Sequence, residues 1–92
     1  MKIKVDYVAQ LKDAAGCSNE SIQVTDGTTV QDLVRTIAKA HGGRLAELLL
    51  EETGALRGSA LLFVGDDQVE WDEACPLRDG VTITLMSPLA GG

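Results

Sequence analysis

The stretch TTVQDLVRTI, residues 28–37, constrains this chain more than any other. Val30, Leu33, Val34 and Ile37 stand at i, i+3, i+4 and i+7, which puts four aliphatic side chains on one face of a helix. Thr29 is placed to cap the start of that helix, and Asp32, three residues on, completes a capping-box pattern. HGG at 41–43 stops it, because glycine tolerates the left-handed backbone of a helix C-terminus. No other segment carries so clean a helical period. A single strong apolar stripe has to be covered, and the remaining apolar residues are arranged to cover it as a sheet.

Ile3, Val5 and Tyr7 alternate with Lys2, Lys4 and Asp6, so residues 2–8 read as a half-buried strand. AQLKDAAG, 9–16, reads as a helical turn stopped by Gly16, and SIQV, 21–24, as a second short strand followed by the turn residues TDGTT. RLAELLLEETG, 44–54, reads as a shorter helix with Leu45, Leu48 and Leu49 inward. ALLFV, 60–64, is a buried strand; GDD turns it and QVEW, 68–71, returns. After the turn PLRDG, Val81, Ile83 and Leu85 alternate with Thr82, Thr84 and Met86 in a last strand. The class is α+β, a mixed sheet of four to five strands packed on one side by one main helix. The domain spans 1–86, and 87–92 reads as a flexible tail.

At 92 residues the chain is long enough for one core without staples. Its net charge of −6 argues against nucleic acid, whose phosphates require Lys and Arg. The N-terminal MKIKVDY has no apolar core of a signal peptide, and the longest apolar run, 60–64, is too short to span a membrane, so a cytoplasmic protein is expected. His41 is the sole histidine and neither cysteine belongs to a CxxC pair, so no metal site is expected. Cys17 and Cys75 could be bridged, but in a reducing compartment they read as free thiols. No nucleophile is placed with a base and an orienting group, and the adjacent pairs Glu51–Glu52 and Asp66–Asp67 read as solvated charge. The chain is not a self-sufficient enzyme on these grounds.

Two apolar residues break the alternation. Val8 follows Tyr7 and so points away from the core face of the first strand, and Met86 points away from Val81, Ile83 and Leu85. If the first and last strands are neighbours, these two form one apolar patch, a mark of a binding surface. Val69 is a third candidate for it.

The last six residues are SPLAGG. Fully extended they reach roughly 20 Å, at ~3.3–3.6 Å per residue. Pro88 stiffens the base and cannot continue strand pairing, while Ala90, Gly91 and Gly92 leave a narrow end. Such an arm, with Ser87, Pro88, Leu89 and Ala90 as its contact residues, suits threading a carboxylate into a tight site on another protein.

KIKVDYVAQLKDAAG, TTVQDLVRTI, PLRDGVTITL and the terminal PLAGG occur in this order along almost the whole chain. In these the sequence resembles the ubiquitin-like sulfur carriers, most of all the small subunits of molybdopterin synthases, with the thiamine-pathway carriers as relatives. It departs from the common pattern at Gly65, at Val81 after Gly80, and in MSPLAGG where PP-x-x-GG is frequent. The resemblance implies a β-grasp fold and a C-terminal Gly92 that is adenylated and converted to a thiocarboxylate, with Gly91 beside it. It implies as partners an E1-like adenylyltransferase that uses ATP, a molybdopterin synthase large subunit, and a sulfurtransferase or cysteine desulfurase as sulfur source. No cofactor is expected on the chain itself. A carrier for thiamine thiazole or a cysteine precursor, a protein modifier forming isopeptide bonds, and a plain interaction domain are the other readings.

Overall fold

A computed structural model describes residues 1–87. The elements are β1 (Lys2–Ala9), α1 (Gln10–Ala15), β2 (Asn19–Gln23), α2 (Val30–His41), α3 (Gly43–Leu49), β3 (Leu61–Val64), β4 (Asp67–Gln68) and β5 (Thr82–Ser87). The strands form one mixed sheet in the order β2-β1-β5-β3-β4. Only β1 and β5 run parallel; the other pairs are antiparallel. This is the β-grasp arrangement that the resemblance implied, with the first and last strands side by side in the middle.

The period-two residues do what their spacing requires. Ile3, Val5 and Tyr7 of β1 and Ile83 and Leu85 of β5 are buried on one face of the sheet, and Val30, Leu33, Val34 and Ile37 of α2 are buried in the same core. Each of those four helix residues is 0–1% exposed. Burying four aliphatic side chains contributes about 6–12 kcal/mol, as large as the net stability of a whole domain, so α2 holds the fold together.

The helix ends match their signals. Thr29 Oγ1 accepts the Asp32 N–H at 3.2 Å, while the Asp32 carboxylate turns to Arg35 at 3.8 Å. Gly42 closes α2 at φ 62°, where an L side chain would be strained, and its N–H donates to Ala38 O at 2.8 Å. Gln31, also on α2, is buried with its amide satisfied. Its Nε2 donates to Trp71 O at 2.9 Å and Glu73 O at 2.7 Å, and its Oε1 accepts the Cys75 N–H at 3.3 Å. The strandless segment before β5 is fastened to the helix this way.

Several boundaries differ from the sequence reading. The second strand begins at Asn19 rather than 21, because the antiparallel register with β1 extends to Asp6↔Asn19. The helix expected over 44–54 ends at Leu49, since Leu50 turns extended and bridges Leu56. The return strand expected over 68–71 is only Asp67–Gln68. The last strand also runs one residue further than expected, to Ser87, which pairs with Ala9.

Candidate functional site

The parallel pairing of β1 and β5 decides where the outward residues meet. Val8 stands opposite Met86, and Met86 stands opposite Leu61 of β3. These three form one row across the sheet, on the face away from α2. In the next row Thr84 lies between Asp6 and Phe63. Val8, Leu61, Phe63 and Met86 are all half-buried, and none belongs to the core or packs against it. They make an apolar patch whose edge is the end of β5.

Val8 and Met86 were both read from the sequence, and the structure brings them together. Val69 does not join them. Its N–H donates to Leu62 O at 2.9 Å, and its side chain packs against the core instead. Leu61 and Phe63 were missed, because an unbroken run such as ALLFV conceals which residues face out.

Ser87, read as the first residue of the tail, is the last residue of β5. It is 1% exposed and faces the core side, in step with Leu85 and Ile83. Among the described residues its Oγ has no hydrogen-bond partner. Its register partner Ala9 has φ 58°, the only positive φ of a non-glycine residue described. The tail residues Pro88, Leu89, Ala90, Gly91 and Gly92 lie outside the described residues.

A polar cluster that no local pattern announces lies where β1, β2 and the end of α2 meet. Glu20 Oε2 accepts from Tyr7 Oη at 2.5 Å and lies 2.7 Å from His41 Nε2. The Tyr7 and His41 rings meet edge to face at 5.9 Å. Burial, and then the hydrogen bond and charge of Glu20, push the Tyr7 hydroxyl well above its ordinary value of 10.0. Burial raises the Glu20 carboxyl, but the hydrogen bonds from Tyr7 and His41 and the charge of His41 outweigh it, so the group titrates below its ordinary 4.5. The cluster clamps an edge strand to a helix end. It holds no nucleophile in attacking position.

Cys17 and Cys75 are separate half-buried thiols. Cys75 lines a groove of about 300 Å³ with Asp67 and Arg78. Among the described residues no group of three or more His, Cys, Asp or Glu could hold a metal ion. No helix among them is long and apolar enough to cross a membrane. The described surface thus presents an apolar patch on the outer face of the sheet.

Residues 5–92 match the ThiS family. The molybdopterin synthase sulfur carrier subunit of Chlamydomonas reinhardtii is 25% identical over 92 residues, covering 100% of both chains. SAMP1 from Haloferax volcanii superposes with a TM-score of 0.83 at 21% identity, over 100% of both chains. A putative molybdopterin converting factor, subunit 1, from Pyrococcus furiosus does so with a TM-score of 0.76 at 30% identity, over 97% of this chain and 99% of that one. A chain of the complex of subunits 1 and 2 of the molybdopterin-converting factor from Helicobacter pylori superposes with a TM-score of 0.63 at 26% identity, over 100% of both chains.

Proposed function

The chain belongs to the ThiS family, and from that membership we propose that it is the sulfur carrier subunit of a molybdopterin synthase, with Gly92 as the residue that bears sulfur. The observation that carries this reading is the family match running to Gly92, behind a domain whose outer sheet face carries an apolar patch.

The chemistry divides between the carrier and its partners. A free carboxylate is a poor acyl donor. An E1-like adenylyltransferase joins the Gly92 carboxylate to the α-phosphate of ATP, and pyrophosphate leaves. A persulfide presented by a sulfurtransferase or cysteine desulfurase attacks the acyl carbon and AMP leaves; a second thiol then cleaves the S–S bond of the acyl disulfide, releasing the thiocarboxylate and leaving a disulfide on the donor. In the active site of the large subunit that sulfur is then passed to a pterin precursor. The reaction proceeds in a reducing, cytoplasmic setting, where the thiols of Cys17 and Cys75 stay free.

This chain's own part is to dock and to reach. Val8, Met86, Leu61 and Phe63 form the apolar face on which each partner is seated in turn. Pro88, Leu89 and Ala90 carry the end of the tail across to the reacting site, and Gly91 and Gly92 keep that end narrow, without side chains to collide with the walls. The relative in Helicobacter pylori forms a complex with a second subunit, which supports an assembly of this kind here.

The pathway is tested by mixing thiocarboxylated protein with a molybdopterin synthase large subunit and the pterin precursor. Conversion of the precursor to the sulfurated pterin is the expected result. No conversion, together with sulfur transfer to a thiazole or cysteine precursor, would assign the carrier to another acceptor. Covalent ladders on denaturing gels would assign it as a protein modifier.

A further inference from the structure

The apolar patch on the outer face of the sheet is bordered on one side by β4, the edge strand next to β3. Gln68 of β4 stands opposite Phe63, so the patch runs up to the β3–β4 hairpin. What that hairpin carries bears on what can cover the patch.

The hairpin and the loop after it are strongly acidic. Between Gly58 and Leu77 the chain has Asp66, Asp67, Glu70, Asp72 and Glu73 and no Lys or Arg, so this segment holds −5 of the net charge of −6. All five side chains are exposed. Among the described residues none of the five is in an ion pair, whereas Asp6, Glu20, Asp26 and Asp32 each have a cationic partner. The segment is fastened to the fold, with the Val69 N–H donating to Leu62 O at 2.9 Å and Gln31 Nε2 donating to Trp71 O and Glu73 O. The charge is therefore concentrated in one place, and in the free domain only solvent and salt offset its self-repulsion. Charge at the rim of a contact chiefly sets the rate and orientation of association, while the apolar centre holds the complex together.

We propose that the protein seated on the outer face presents Lys and Arg side chains along the β3–β4 side of the contact, and that Asp66 and Glu70 steer its approach. The inference deepens the carrier reading and rests on it: the occupant is the large subunit of the synthase. Val8, Met86, Leu61 and Phe63 supply the seat, and the acidic hairpin decides which way round the partner sits. Asp66 lies in the hairpin turn beside the patch, and Glu70 two residues past Gln68. An acidic protein surface is repelled by the same edge.

The test is the association kinetics of the full chain with a molybdopterin synthase large subunit, measured by stopped flow over a range of salt concentrations. Two double variants change the net charge equally and in different places. One is Asp66→Lys with Glu70→Lys. The other is Glu51→Lys with Glu52→Lys, in the turn after α3 whose Gly54 O accepts from Arg35 Nε on the helix side of the sheet. Circular dichroism checks that both fold; if either does not, the isosteric Asn and Gln replacements at the same positions are compared instead. The hairpin variant is expected to lower the association rate on the order of tenfold at low salt and to flatten its fall with rising salt. The Glu51, Glu52 variant should stay within about twofold of wild type, and the dissociation rate should change less than the association rate. Equal slowing by the two variants means that net charge alone acts and overturns the inference, and so does an unchanged rate in the hairpin variant; in both cases the carrier reading stands. If the wild-type chain does not bind the large subunit, the carrier reading fails first and takes this inference with it.

Discussion

Replacing Met86 by Asp separates docking from folding, and the structure sets the size of each effect. Met86 is the middle of the row Val8, Met86, Leu61, with Asp6 on the neighbouring row. In the free domain it is half-buried on the outer face, so the substitution costs little core packing. The poor fit of Asp in a strand costs about 1 kcal/mol. In a complex that covers the patch, the lost methionine burial is worth about 1.5–3 kcal/mol. Leaving a polar group unpaired in the contact adds about 1–3 kcal/mol. Because Met86 is already half-buried in the free domain, the combined loss falls at the low end, about 3 kcal/mol, which weakens binding about a hundredfold. Titration calorimetry against the adenylyltransferase and the large subunit measures this, with circular dichroism confirming the fold. Leu33→Asp is the control: Leu33 is 0% exposed, and an unpaired charge there should unfold the domain. If folded Met86→Asp binds both partners within about twofold of wild type, which is under ~0.5 kcal/mol, the apolar row is not the docking surface.

Other perturbations address other parts of the molecule. Glu20 titrates below its ordinary value, so the stability it contributes is present above pH 4.5 and is lost as the pH falls through its folded-state pKa. Melting curves across the acid range should show wild type losing stability there and Glu20→Gln, less stable at neutral pH, losing less; parallel curves would mean the clamp with Tyr7 and His41 contributes nothing. Ala9→Gly should raise the melting temperature, because glycine adopts φ 58° without strain. A gain of about 1 kcal/mol corresponds to about 4–8 °C in a domain of this size, and a fall in melting temperature would show that Ala9 is not strained. Deleting Gly92 should abolish thiocarboxylate formation and leave the melting temperature unchanged, since the core is built from residues between Ile3 and Leu85. A clear drop on calorimetry would mean the end of the chain is packed into the domain.

The fold was legible wherever a period was long enough to have one face. The stripe on α2 and the alternations of β1 and β5 fixed the core, and Thr29 and the glycines after His41 marked the helix ends. Short apolar runs were not legible in the same way. LLFV of β3 is apolar at every position, so the packing of Leu62 and Val64 on the core side and the outward placement of Leu61 and Phe63 emerge only once the strand is paired with β5. Val69 misled for a related reason: the strand over 68–71 on which its face was judged is only two residues long, and Val69 lies beyond it. The link between Val8 and Met86 depended on whether the first and last strands are neighbours, which is topology and not pattern. The Glu20 cluster joins residues 13 and 21 positions apart, and no local signal announces a carboxylate shared over such distances. Ser87 was assigned to the tail because the alternation of the last strand was followed only to Met86; its burial is visible only once β5 is seen paired with β1 as far as Ala9.

The claim that sulfur is carried on the terminal carboxylate and not on a thiol is tested most directly by intact-mass analysis of a Cys17→Ser, Cys75→Ser double variant. The folded variant is incubated with the activating enzyme, ATP and a sulfur donor, then digested to locate the change. The account predicts a gain equal to one oxygen-for-sulfur exchange, found on the peptide that ends in Gly92. Loss of that gain in the folded double variant, or a persulfide on Cys17 or Cys75 of the wild-type chain with no exchange on the C-terminal peptide, would contradict it.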